Sequence, residues 1–145
     1  MNHEQGREFA VITGPKREIG KYDKCLMYSE ALAFEEAADH LGDWRIDGKQ
    51  PEGVLAVPWM VNKAFAIELY LKILLIEEKE YEAINKEKHN LFGLYKALRE
   101  ETKEKLHRNG IFHEKLLELF SDAFVACRYF YEYTGFIGDG IPTFR

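Results

Sequence analysis

The stretch that decides the fold is Pro58-Trp59-Met60-Val61-Asn62-Lys63-Ala64-Phe65-Ala66-Ile67-Glu68-Leu69-Tyr70-Leu71-Lys72-Ile73-Leu74-Leu75-Ile76. Proline suits a first helical turn, where its missing N–H leaves no hydrogen bond unmade. From Trp59 to Ile76 only Asn62, Lys63, Glu68 and Lys72 are polar. A membrane helix needs about 20 residues of this kind, and each charge near its centre costs about 3 kcal/mol. Glu68 and Lys72 make that reading poor. A helix apolar on nearly every side, yet carrying central charges, belongs in the middle of a protein bundle.

Working outward, the upstream residues Tyr22 to Leu41 follow a helical pattern that Gly42 stops. Leu26, Phe34, Ala37 and Leu41 are expected to form its inward side, with Glu30 an odd charge within that arc. Residues 1–21 read as an N-terminal arm around Phe9-Ala10-Val11-Ile12, and the Gly-, Pro- and Asp-rich segment from Gly42 to Val57 reads as a loop. Downstream, residues 77–88 form a charged connection. Asn90 is a good N-cap for a third helix with Leu91, Leu94, Tyr95 and Leu98 on one face. That helix is expected to continue through Arg99 to Lys105 and end at Gly110. A last helix spans about Phe112 to Thr134, with Leu116, Leu119, Phe120, Ala123, Phe124, Cys127 and Tyr131 inward. Gly135 closes it, and 135–145 form a C-terminal tail. Helices in series with no strand pattern predict an all-α fold, a four- to five-helix up-and-down bundle over residues 22–134.

A chain of 145 residues is of single-domain size, and 46% hydrophobic residues are enough to build one core. The formal net charge of −5 argues against a broad basic face for non-specific nucleic-acid binding, although it leaves room for a local basic patch. Cys25 and Cys127 lie in apolar helical stretches and are expected to be small buried hydrophobes. No Cys/His spacing suggests zinc, so neither metal nor cofactor is expected. Met1 to Gly6 is polar and lacks the apolar core of a signal peptide, which points to the cytoplasm and away from a membrane.

Two groups of residues could carry chemistry. Glu68 and Lys72, four apart with the acid first, can form a helical ion pair, or join a polar network shared with other helices if the pair is buried. His89, just before the third helix, is either a capping residue or a partner reaching back to Glu68. Arg128 falls on the polar stripe of the last helix near Ser121, Glu114 and Glu132. The second group is Arg108-Asn109-Gly110-Ile111-Phe112-His113. Metal-free RNA cleavage needs a proton-transfer group that titrates near neutrality and a fixed cation for the developing charge. Histidine and arginine supply both.

Taken together, Ala66-Ile67-Glu68-Leu69-Tyr70-Leu71-Lys72-Ile73-Leu74-Leu75, His89-Asn90-Leu91 and Arg128-Tyr129 resemble marks of the higher-eukaryote and prokaryote nucleotide-binding (HEPN) family of helical domains. The resemblance runs from Pro58 to Thr134, about half the chain. It implies an HEPN-like bundle that forms a homodimer, from a bacterial or archaeal defence or toxin–antitoxin type of system. Its partners would be RNA or a nucleotide, or an antitoxin or nucleotidyltransferase protein. Many such domains are metal-independent ribonucleases whose arginine and histidine meet across a dimer cleft, and Arg108 with His113 would fill those roles here. Others are non-catalytic binding modules, for which Glu68, Lys72, His89 and Arg128 would be the polar set. Gly110 within the arginine–histidine segment loosens the turn that must align the two, and the residue five beyond Arg128 is Tyr133, not histidine. The non-catalytic module is therefore the expected function, with the ribonuclease as its alternative.

Overall fold

The computed structural model describes residues 14–42, 56–109, 114–119 and 121. Among them every regular element is helical: a 3-10 turn at Ile19–Lys21, then α1 (Lys24–Gly42), α2 (Ala56–Glu77), α3 (Tyr81–Glu87), α4 (Leu91–Ala97), α5 (Glu100–Arg108) and α6 (Glu114–Leu119). None of these helices is long and apolar enough to cross a membrane.

The central place expected for the stretch after Pro58 is where α2 lies. It packs against α1, α3 and α4, and it buries Met60, Ala64, Ala66, Leu69, Leu71, Leu75 and Ile76. Pro58 sits in its first turn, and its carbonyl accepts from Asn62 Nδ2 at 2.7 Å. At the other end, Glu80 N–H donates to Leu75 O at 2.8 Å and Lys79 N–H to Ile76 O at 3.0 Å. This is the Schellman closure, with the left-handed position (φ 61°) held by Lys79 where glycine is usual.

Helix α1 runs antiparallel to α2. Lys24 bonds Glu77 at one end, Lys63 reaches Asp39 at 2.9 Å near the other, and the Phe34 and Phe65 rings meet edge to face at 4.6 Å between them. Asp23 Oδ1 accepts the Leu26 N–H at 3.1 Å and so caps the first turn. The inward side differs from the expected one. Ala31 and Ala38 are fully buried with Met27 and Phe34 beside them, whereas Leu26 and Ala37 are exposed. Small side chains let α1 lie close on α2, and that rotates the larger Leu26 outward. Cys25 is also exposed, which corrects its placement in the core. Cys127 lies outside the described residues.

The segment read as a charged connection contains α3, which inserts Ile84 into the core. Asn90 caps α4 as expected, its Oδ1 accepting from Gly93 N–H at 3.0 Å, and Leu91, Leu94, Tyr95 and Leu98 are all buried. The helix does not continue to Gly110. Leu98 and Arg99 are both extended, and α5 starts afresh at Glu100. The cause is Glu78, just beyond α2. Its carboxylate accepts from the Arg99 N–H at 3.0 Å and from the Thr102 hydroxyl, and its carbonyl accepts from Arg99 Nη2 at 3.1 Å. A carboxylate from another element thus takes the N-cap role that Arg99 cannot fill, and this tertiary bond outweighs the helix preference of the local sequence.

Helix α6 brings Leu117 into the core against α4 and ends at Leu119, with Ser121 in a turn. Ser121 O accepts from Leu91 N–H at 2.9 Å, satisfying one of α4's free first-turn donors. Phe120, Ala123, Phe124, Cys127 and Tyr131 lie outside the described residues, as do the 1–13 part of the arm and the 135–145 tail.

Candidate functional site

The middle of α2 carries the one charged side chain buried in the described core. Glu68 is 1% exposed, and its carboxylate is held from two directions. Lys72, one turn further along the same helix, places Nζ 2.6 Å from Oε1. His89, in the α3–α4 connection, places Nδ1 2.9 Å from Oε1 and 3.0 Å from Oε2. Three polar residues that the sequence suggested as one network therefore meet, while Arg128 lies outside the described residues.

Each position follows from local structure. A spacing of four puts Lys72 directly over Glu68 on one helix face. His89 is delivered by the sharp end of α3, where Lys88 adopts φ 54°, and by Asn90, whose cap fixes the start of α4. An isolated buried carboxylate would be costly, and this one is stabilised by two charge-assisted or polar hydrogen bonds. The exposure of the side chains rises outward, from 1% at Glu68 to 16% at Lys72 and 46% at His89. The carboxylate is thus the base of a small polar cluster that opens to the surface through its two nitrogen-bearing members.

An ammonium group has three donors. Among the described residues Glu68 Oε1 is the acceptor given to Lys72, which leaves donor capacity on a mostly covered cation. Such a group can hold an anion that reaches it from the surface. No group of three or more His, Cys, Asp or Glu side chains among the described residues has the arrangement of a metal site.

Arg108 stands elsewhere, at the C-terminal end of α5, with 76% of its side chain exposed and Glu104 Oε2 3.7 Å away on the preceding turn. Residues 110–113 are outside the described set, so the arginine–histidine pair expected from the sequence is described at Arg108 alone. The histidine that the structure does place in a defined contact on α5 is His107. Its Nε2 is 2.6 Å from the hydroxyl of buried Tyr95, with the rings edge to face at 6.1 Å. Burial, together with the negative field of Glu114, pushes the Tyr95 hydroxyl pKa up, so the phenol stays neutral and can donate to the imidazole. The twelve-residue gap between Tyr95 and His107 gave no helical-face signal for this contact, because it depends on the break at Leu98 and Arg99.

A third polar contact, between Tyr70 and Glu35, fixes α1 on α2. The phenol donates to Glu35 Oε2 at 2.6 Å, and burial with this bond drives the Tyr70 pKa far upward. Compared with known proteins, the chain matches no family model, no curated protein and no solved structure.

Proposed function

We propose that this chain is an HEPN-like helical module that binds a phosphate-bearing ligand, a nucleotide or an RNA strand, without cutting it. The observation that carries the proposal is the Lys72 ammonium, fixed from below by buried Glu68 as its one acceptor among the described residues, beside half-exposed His89. Phosphate oxygens accept such donors strongly, and a charge-assisted bond contributes about 1.5–3 kcal/mol. The Glu68 bond also orients the ammonium in advance, so little side-chain freedom is lost when a ligand arrives.

The non-cutting form is favoured by where Arg108 sits. A cation that stabilises a transition state must be held in place, and Arg108 is mostly solvated beside Glu104. The acidic net charge of −5 fits a local phosphate site better than an extended nucleic-acid track.

The test is calorimetric titration of the full chain with nucleoside triphosphates and with a short single-stranded RNA. Lys72→Met should weaken binding about tenfold or more, Lys72→Arg should retain most of it, and Arg108→Ala should leave it unchanged. Absence of binding, or equal binding by Lys72→Met, would remove the proposal. RNA cleavage by the wild type that disappears in both Arg108→Ala and His113→Ala would establish the ribonuclease in its place.

A further inference from the structure

Helix α5 is held by the rest of the chain differently from α1. None of its nine residues is buried, and Glu100, Glu101, Glu104, Lys105, His107 and Arg108 are all exposed. Its charges pair within the helix itself: Lys103 with Glu100 at 2.9 Å, Lys105 with Glu101 at 3.0 Å and Arg108 with Glu104 at 3.7 Å. Acidic residues open it and basic residues close it, the order that the helix dipole favours. Helices α1 and α2, by contrast, join Lys24 to Glu77, Lys63 to Asp39 and Tyr70 to Glu35 across their contact. The electrostatic support of α5 is therefore mostly its own, and it does not depend on docking.

Among the described residues, three contacts join α5 to other elements. Its N-terminal end hangs on Glu78, whose carboxylate accepts from the Arg99 N–H at 3.0 Å and from the Thr102 hydroxyl. Lys103 and His107 close over buried Tyr95, with the ammonium 5.9 Å from the ring centroid and Nε2 2.6 Å from the hydroxyl. Leu106, partly buried, packs against the core. Between α4 and α5, Leu98 (ψ 150°) and Arg99 (ψ 149°) are both extended, and this step breaks the helical ladder. Residues at the ends of elements are where a hinge absorbs its change of backbone angle. We infer that α5 is a strap that undocks from α4 as one unit, with Leu98 and Arg99 as its hinge and the Glu78 carboxylate as its latch. Undocking uncovers Tyr95 and moves Arg108, at the far end of the strap, while α2 and α4 stay folded. An element with little buried apolar surface opens at a lower free energy than the core beneath it. Nothing in this device uses Lys72 or its ligand.

The test is native-state amide hydrogen exchange of the full chain, followed by NMR at several urea concentrations below the unfolding transition. A nine-residue helix is marginal once undocked, so its amides exchange whenever the strap opens. The amides of Lys105 to Arg108 should exchange at least about a hundredfold faster than those of Leu71 and Leu94. Their rates should also hardly change with urea, because a local opening exposes little surface. Ile76→Val thins the core and should speed exchange at Leu71 about threefold while leaving α5 unchanged. Glu78→Ala should speed exchange in α5 about tenfold, and Glu78→Gln, which keeps an acceptor, about threefold. Exchange of α5 with the urea dependence of the core would overturn the inference, as would an Ile76→Val variant that speeds α5 and the core alike. Unchanged α5 exchange in Glu78→Ala would overturn the assignment of the latch.

Discussion

Replacing Glu68 by alanine removes the one carboxylate buried among the described residues and leaves two polar partners behind. Lys72, 16% exposed, loses its only acceptor among the described residues, while His89, 46% exposed, loses its bond to the carboxylate. Breaking a buried ion pair by deleting one partner costs about 3–5 kcal/mol, and an exposed pair contributes about 0–1 kcal/mol. Lys72 can swing its head towards solvent on its flexible stem, which places the cost at the lower end. The expected loss is about 3 kcal/mol, or a melting temperature lower by roughly 10 °C for a domain of this size. Glu68→Gln keeps the shape and one acceptor and should lose about half as much. Glu68→Leu combined with Lys72→Met removes both charges and should recover most of the stability, because apolar groups of similar volume replace a buried pair at little cost. Urea unfolding followed by circular dichroism measures all four proteins. A Glu68→Ala variant within about 0.5 kcal/mol of the wild type would show that the pair contributes no more than an exposed one, and a double variant no more stable than Glu68→Ala would show that Lys72 is not left at a cost.

Other consequences concern the helix ends and the buried phenols. Lys79 holds a left-handed conformation at φ 61°, so Lys79→Gly should raise stability by about 1 kcal/mol, seen as a melting temperature about 3 °C higher. A Cβ added at Gly93 would collide with the carboxylate at the far end of the Glu87 side chain. Gly93→Ala should therefore gain nothing in the wild type but up to about 1 kcal/mol in a Glu87→Ala background, which a double-mutant cycle in urea would show. Tyr95→Phe should cost about 1 kcal/mol through the lost bond to His107, and an unchanged urea midpoint would contradict that. Burial raises the pKa of Tyr70 and of Tyr95 above the ordinary tyrosine value of about 10. A group raised in this way contributes its full stability below the unfolded pKa and loses it as pH rises. The fold should therefore weaken from about pH 10 upward, and tyrosinate absorbance should rise together with the loss of helix signal.

Much of this was legible in the chain, for identifiable reasons. The density of apolar residues after Pro58 with two charges at its middle pointed to a helix covered by its neighbours, and α2 packs against α1, α3 and α4. Asn90 and the four-residue spacing of Glu68 and Lys72 are local signals, so the α4 cap and the Glu68–Lys72 pair followed from them. His89 meeting Glu68 was one of two readings, and only the turn at Lys88 makes it reach. What the chain did not show was decided by distant contacts. The orientation of α1 rested on Ala31 and Ala38 rather than on the larger Leu26, since small residues set the closest approach of two helices. The break before α5 depends on Glu78, some twenty residues upstream, and the Tyr95–His107 bond depends in turn on that break.

The claim on which the rest hangs is that a fixed Lys72 ammonium, seated on Glu68, receives an anion. Nitrogen-15 NMR of the lysine ammonium groups addresses it directly, because a hydrogen-bonded and mostly covered ammonium exchanges its protons slowly enough to give its own signal. A Lys72 signal is expected in the wild type, lost in Glu68→Ala and moving saturably as a nucleoside triphosphate is added. A Lys72 signal that stays in place while the nucleotide binds, or one as fast-exchanging as the surface lysines, would contradict it.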